Sequence, residues 1–297
     1  MIVETFKTES EWLKARRGGV GSSDAAIIYG LPGYRSIRRI YADKRGESWG
    51  VINNKPTDLN EMGEAGHRFE EANSRWFADK TGKKVTDPGE YTLHWASGNP
   101  PMFCTPDRFV ENTFGKRIAV LELKLAFHRQ AKIWSHMVPT AYMIQMQHQM
   151  LCCELDTAFI SVILNGYQHR WFEVKRHERT IKELKRRVEW FMEHVRAGTP
   201  PPVCNSSDMM QTLQDQYSQP EETRVDLPYK FWQITEEIDK ATKQKSELEK
   251  KIKHNKNLIR EAIGTATTGV LIDGTTAWHW KKTKTGRTLK KGVIYDG

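Results

Sequence analysis

The chain has 297 residues, 38% of them hydrophobic, with ten Trp and four Cys, a formal charge of +9 and a pI near 9.3. That is enough apolar material for one large folded domain with an extension, and it excludes a largely disordered chain. No apolar run reaches the ~18 residues of a membrane span, "MIVETFKTES" lacks the basic-then-apolar pattern of a secretory leader, and the basic balance favours a polyanionic partner; a cytoplasmic protein is expected.

In chain order, "EWLKARRGGVGSSDAA" places Trp12, Arg16 and Ser23 ahead of a helix expected to open at "DAAIIYG". Free N–H groups and the positive dipole end of such a helix suit an anion, although the same residues also suit an ordinary N-cap. "LNEMGEAGHRFEEANSRWFADKTG" predicts a helix with Met62, Ala65, Phe69, Ala72 and Trp76 as its apolar stripe and Gly82 as its stop. Strands and turns follow in "TDPGEYTLHW" and "PPMFCTPDRFV". "IAVLELKLA" (118–126) reads as a buried strand, "VPTAYMIQMQHQMLCCE" as a helix, and "TAFISVILNGYQHRWFEVKR" as a hairpin about Asn165-Gly166. The helix "ERTIKELKRRVEWFMEHVRAG" has Ile181, Leu184, Val188, Met192 and Val195 as its stripe, and Gly198 ends it. After "TPPPV" the texture becomes polar, as expected of a linker. A long helix follows, with Ile234, Ile238, Ala241, Leu248, Ile252, Ile259 and Ala262 at heptad-like steps interrupted by Lys245 and Asn255. A hairpin about Asp273-Gly274 with a basic tail closes the chain. The organisation expected is α+β, with a core over 1–203 and an extension over 204–297. Cys104, Cys152, Cys153 and Cys204 show no metal-binding spacing; the adjacent pair, in an apolar stretch, is expected to pack.

The strand "IAVLELKLA" poses a chemical question. Its alternation puts Leu121, Leu123 and Leu125 on one face and Val120, Glu122 and Lys124 on the other. Burying a charge is costly unless it is paired or metal-bound. Fifteen residues upstream, Asp107 follows Pro106, and a hairpin through "ENTFGKR" would set Asp107 beside Glu122. Two adjacent carboxylates repel, and a Mg²⁺ ion relieves that repulsion while offering open positions to water and phosphate. Lys124 would face the same cavity, suited to hold a water or balance transition-state charge. A plain buried Glu–Lys pair is the simpler alternative.

At these residues the chain resembles the PD-(D/E)xK nuclease superfamily, and within it the phage lambda-type exonucleases and YqaJ-like viral recombinases. The similarity spans about residues 11–197 in four blocks, at Trp12/Arg16/Ser23, Gly66/Glu70, Asp107/Glu122/Lys124 and Tyr142/Gln145. It implies an α/β/α restriction-endonuclease-like core with a central mixed sheet. Asp107, Glu122 and the Leu123 carbonyl would be metal ligands, with Glu70 assisting and Glu71 its rival. Lys124 would orient the attacking water, Gln145 and Tyr142 would support the site, and Arg16 with Ser23 would hold a 5′-phosphate. Arg108 stands where the family often has Gly and would add a phosphate contact. The implied activity is a Mg²⁺-dependent (or Mn²⁺-dependent) 5′→3′ exonuclease with two ions per site. It would act on linear double-stranded DNA and leave a 3′ overhang for DNA recombination. The implied partners are a single-strand annealing protein and further copies of the chain in a trimeric ring. An endonuclease of the same superfamily would keep the metal site without needing the phosphate pocket.

Overall fold

The computed structural model describes residues 1–33, 35–50, 61–134 and 137–292. They form two compact units, Met1–Pro220 and Glu221–Gly297. The first unit runs β1 (Ile2–Thr5), α1 (Glu9–Arg16), β2 (Val20–Gly21), α2 (Ala25–Ile28), α3 (Ile37–Arg45), α4 (Glu61–Thr81), β3 (Lys84–Thr86), β4 (Thr92–Trp95), β5 (Met102–Cys104), β6 (Arg108–Glu111), β7 (Arg117–Ala126), α5 (His128–Trp134), α6 (Thr140–Cys153), β8 (Thr157–Leu164), β9 (Gln168–Lys175), α7 (Glu178–Ala197) and α8 (Met209–Gln216).

Its main sheet has the order β3-β6-β7-β8-β9, with β7 and β8 parallel and the other pairs antiparallel. Alternation along β7 sends Leu121 and Leu123 to one face, where they pack with Phe77 of α4, Val110 and Phe159. Val120 on the other face joins Ile160 and Val162 against α6 and α7 through Ile144, Met150, Leu184 and Val188. The result is a mixed sheet between two helical layers, the α/β/α core expected. A smaller sheet, β1-β4-β5-β2, flanks it. Local signals behave as read: Asn165 and Gly166 both take positive φ at the β8–β9 turn, and Gly198 caps α7 at φ 68°.

Three expectations change. Residues 204–220, read as a linker, contain α8, which is anchored to α3. Arg39, 1% exposed, donates from Nε to Asp208 at 3.1 Å and pairs with Asp215 at 2.8 Å, while the Ser36 and Thr212 hydroxyls lie 2.7 Å apart. The units therefore divide at Pro220/Glu221, beyond residue 204. The stripe of α4 holds only in part. Ala65 and Trp76 are half-buried, Ala72 is exposed, and Phe69 is exposed at the edge of a cavity. The buried positions include Asn73 and Phe77, with Gly66 and Glu70 half-buried beside that cavity. Polar residues occupy part of the inward face, so hydrophobic periodicity places it only in part. Leu59 and Asn60, where this helix was expected to open, and the side chain of Met62 lie outside the described residues. Finally, α2 is a single turn. The Asp24 and Ala25 N–H groups are already donated to the Gly21 and Ser22 carbonyls, so fewer free N–H groups stand at its start than expected.

The second unit consists of α9 (Lys230–Ile263) and a sheet of β10 (Thr268–Val270), β11 (Thr276–Thr283) and β12 (Gly286–Lys291). The heptad-spaced residues of α9 are largely exposed, and none is buried. The expected turn at Asp273-Gly274 joins β10 to β11. The basic tail is not a tail: it folds back as β12, with Leu289 opposite Trp280 and Arg287 opposite Lys282. Among the described residues no helix is long and apolar enough to cross a membrane.

Candidate active site

β6 and β7 pair antiparallel with Arg108 opposite Leu121, and continuing that register by one residue sets Asp107 against Glu122. Asp107 is locked there, because its Oδ2 accepts the Leu123 N–H at 2.7 Å. Glu122 is 3% exposed and needs partners to carry charge. It has three: the Lys124 ammonium donates to Oε1, Gln145 Nε2 donates to Oε1 at 2.6 Å, and Gln149 Nε2 donates to Oε2 at 2.7 Å. The glutamines lie one turn apart on α6, so one helix face clamps both carboxylate oxygens. The Lys124 ammonium also lies 5.4 Å from the centre of the Tyr142 ring.

The electrostatics follow from this crowding. Burial, reinforced by the Glu122 carboxylate and opposed by Lys124, pushes the Asp107 carboxyl up to about 8. Burial works against the Lys124 charge as well, but Glu122 and Asp107 overcome it and hold its pKa above the ordinary lysine value. A carboxylate pair so placed is relieved by a cation.

Two cavities meet at Lys124. The one towards α4, about 230 Å³, is lined by Gly66, Glu70, Asn73, Leu123 and Lys124. A Cβ on Gly66 would meet nothing within 4 Å, so its glycine leaves that cavity open. The other, about 580 Å³, is lined by Ser23, Gln130, Tyr142, Gln145 and Lys124. Glu70 thus faces the site, and its Oε1 lies 3.0 Å from His67 Nδ1. Its rival Glu71 instead pairs outside with Arg75 at 2.7 Å and Arg108 at 3.3 Å. Arg108 is occupied by acidic neighbours and by the Asp107 carbonyl, which counts against a phosphate role for it. The Arg16 guanidinium stacks over Trp12 at 4.3 Å, with Phe103 5.4 Å away.

Gln147 and Gln149 follow Gln145 on the same helix and behave differently. Gln147 turns away, donating to the Lys175 carbonyl at 2.8 Å and accepting the His177 N–H at 2.7 Å. Gln149 holds Glu122; the available signal was its four-residue spacing from Gln145. Hydrophobic periodicity does not single out Asn73. It is 2% exposed, and its Nδ2 donates to the Lys124 and Ser161 carbonyls, both at 3.1 Å, tying α4 to β7 and β8. Replacing Asn73 with Leu is expected to destabilise the fold by about 2 kcal/mol or more, since two buried carbonyls lose their donor. An unchanged urea midpoint would show that these bonds contribute nothing.

Among the described residues no group of three or more His, Cys, Asp or Glu side chains could hold a metal ion. The set here is of another kind, two carboxylates with an adjacent backbone carbonyl at Leu123. Such an all-oxygen set fits Mg²⁺, which takes one or two carboxylates and keeps several waters.

A central mixed sheet between helical layers, with a glutamate and a lysine on its middle strand and an aspartate set against them, defines the restriction-endonuclease-like class of fold. Residues 11–156 of this chain match the model of the YqaJ-like viral recombinase domain. The chain is 28% identical over 261 residues to the uncharacterised protein YqaJ of Bacillus subtilis (strain 168), covering 83% of this chain and 78% of that one. Its fold is similar to that of an alkaline exonuclease, LHK-Exo, from Laribacter hongkongensis. The TM-score is 0.51 at 20% identity, covering 64% of this chain and 93% of the other. The structure of LHK-Exo in complex with dAMP gives a TM-score of 0.50 at 18% identity, covering 70% and 98%.

Proposed function

We propose that the first unit is a Mg²⁺-dependent exonuclease. It degrades one strand of linear double-stranded DNA from the 5′ end and leaves a 3′ overhang for recombination. The observation that carries this reading is the Asp107–Glu122 carboxylate pair with Lys124 beside it, at the meeting of two cavities. The match of residues 11–156 to the YqaJ-like viral recombinase domain model supports it.

Asp107, Glu122 and the Leu123 carbonyl, with Glu70 assisting, would hold the divalent ions, two per site, with Mn²⁺ able to substitute. When bound, the ions supply Lewis acidity towards the phosphate and a lowered pKa for water. The rest is the work of the side chains. Lys124 holds the attacking water through its ammonium and balances charge on the phosphoryl oxygens. Gln145 and Gln149 keep Glu122 in one orientation while its charge is shared. Tyr142 walls the cavity on the Lys124 side. Water adds to the phosphorus, the P–O3′ bond of the terminal nucleotide breaks, and the departing 3′ oxygen takes a proton. The shortened strand retains a 5′-phosphate, so the cycle repeats. Arg16 and Ser23 would anchor that phosphate, and a single-strand annealing protein would take the exposed 3′ strand. A trimeric ring of this chain in a bacterial cytoplasm is the setting that goes with this reading.

The test is a duplex with a 5′-phosphate at one end, a 5′-hydroxyl at the other, and separately labelled strands. Mg²⁺-dependent loss of only the phosphorylated strand, as mononucleotides, is expected. Arg16→Ala should cut the preference for the phosphorylated end roughly tenfold or more, the worth of a charge-assisted hydrogen bond. Internal cuts indifferent to the phosphate would replace this reading with an endonuclease.

A further inference from the structure

The second unit has no assigned role, and its charge is unevenly placed. Residues 250–291 carry eleven Lys and Arg against only Glu261 and Asp273, a surplus of nine that equals the formal charge of the whole chain. The remainder of the protein is therefore balanced. Ordinary solvated surfaces in this chain interleave both signs. On α4 and α7, Arg68, Arg75, Arg186 and Arg196 each have an acidic partner within 2.7 Å. On the first half of α9, Lys240, Lys243 and Lys245 alternate with Glu236, Asp239, Glu247 and Glu249.

The β11–β12 hairpin departs from that pattern. Lys281, Lys282, Lys284, Lys290 and Lys291 are all exposed, and among the described residues none of them takes part in an ion pair. Five such ammonium groups on one short ribbon repel one another, a cost that a polyanion removes. The ribbon is also held rigid. Arg287 stacks on Trp280 at 3.8 Å and donates to the Gly264 carbonyl at 2.8 Å and the Trp280 carbonyl at 2.9 Å, fastening the hairpin to the end of α9. Alternation puts Lys281 and Lys290 on one face of this ribbon and Lys282 and Lys291 on the other, so both faces offer ammonium groups to phosphates, and a two-stranded ribbon fits a DNA major groove.

We propose that this hairpin is a second DNA contact, separate from the nuclease site, which grips the phosphate backbone without regard to sequence. As a grip on the enzyme's own substrate it rests on the nuclease reading; the binding itself can be tested without cleavage. In full-length protein carrying Lys124→Ala and without divalent metal, affinity for a blunt duplex is measured from 50 to 200 mM salt. Substituting Lys281, Lys282 and Lys284 together by Gln should flatten the slope of log affinity against log salt by about two to three, close to one per lost phosphate contact. Lys290→Gln with Lys291→Gln, on the paired strand, should flatten it by about two. Lys240, Lys243 and Lys245 changed together to Gln remove the same charge from α9 and should leave the slope unchanged.

Equal losses from the hairpin and α9 variants would mean that net charge alone attracts DNA, and would overturn the proposal. Unchanged slopes in both hairpin variants, with native thermal unfolding, would also overturn it. Loss of slope in a protein whose parent never cleaves DNA would keep the contact and discard the nuclease reading.

Discussion

Lys124→Ala is expected to lower Mg²⁺-dependent hydrolysis by about a thousandfold or more while leaving the protein folded and able to bind DNA. The magnitude follows from two losses at once, a positioned donor to the attacking water and a cation beside developing negative charge, each worth roughly 10² or more in rate. The fold should survive because Glu122 keeps Gln145 and Gln149 as donors at 2.6 and 2.7 Å. Lys124 itself lies where two cavities meet rather than deep in the core. Single-turnover rates at saturating protein, with duplex affinity measured alongside, separate chemistry from binding. A variant that cleaves at the parent rate would remove Lys124 from the mechanism.

The second large effect is structural. Arg39→Met should destabilise the first unit by about 3–5 kcal/mol, because it removes the cation from a buried pair and strands the acids. For a unit of this size that corresponds to a fall in Tm on the order of 10 °C. The Arg39 side chain is fully enclosed, contacting Asp208, Asp215 and the Trp49 carbonyl, so no water replaces what is lost. The pH dependence has a definite sign. Asp208 is disfavoured by burial, but the Ser36 N–H, Arg39 and Thr212 outweigh this and hold its pKa below 3.8. Gln211 and Arg39 hold Asp215 below 3.8 as well. Their stabilisation is complete above 3.8 and disappears as pH falls through the lower folded values. Chemical denaturation from pH 7 to pH 2 should show that acid step in the parent and lose much of it in Arg39→Met. Proteolysis confined to residues 204–220 is the expected companion, since α8 loses its anchor. An unshifted Tm would show that the cluster contributes no net stability.

What could be read from the residues in order follows local rules. The hairpin at Asn165-Gly166 and the end of α7 at Gly198 are written in residues that tolerate positive φ. The apolar alternation of 118–126 announces a core strand, and two charges within it announce a site. The pairing of Asp107 with Glu122 was also legible, because a short antiparallel hairpin leaves few registers open. The partly misplaced face of α4 has a different origin. Its inward side carries Glu70 and Asn73 because it borders a polar cavity, while Ala72 is left outside, so a rule that equates inward with apolar fails beside such a cavity. The same limit hid α8, whose anchor is the ion pair of Arg39 with acids some 170 residues away.

The sequence by itself therefore determined the α+β class of fold and the central strand with two charges in it, since period and turn chemistry are properties of neighbouring residues. Only the tertiary structure decided that Gln149 rather than Gln147 holds Glu122, that Glu70 rather than Glu71 faces the cavity, and that the basic segment is a ribbon. Each of those choices is set by the partner that satisfies a buried polar group or covers a strand, and such partners are brought together only when distant parts of the chain pack.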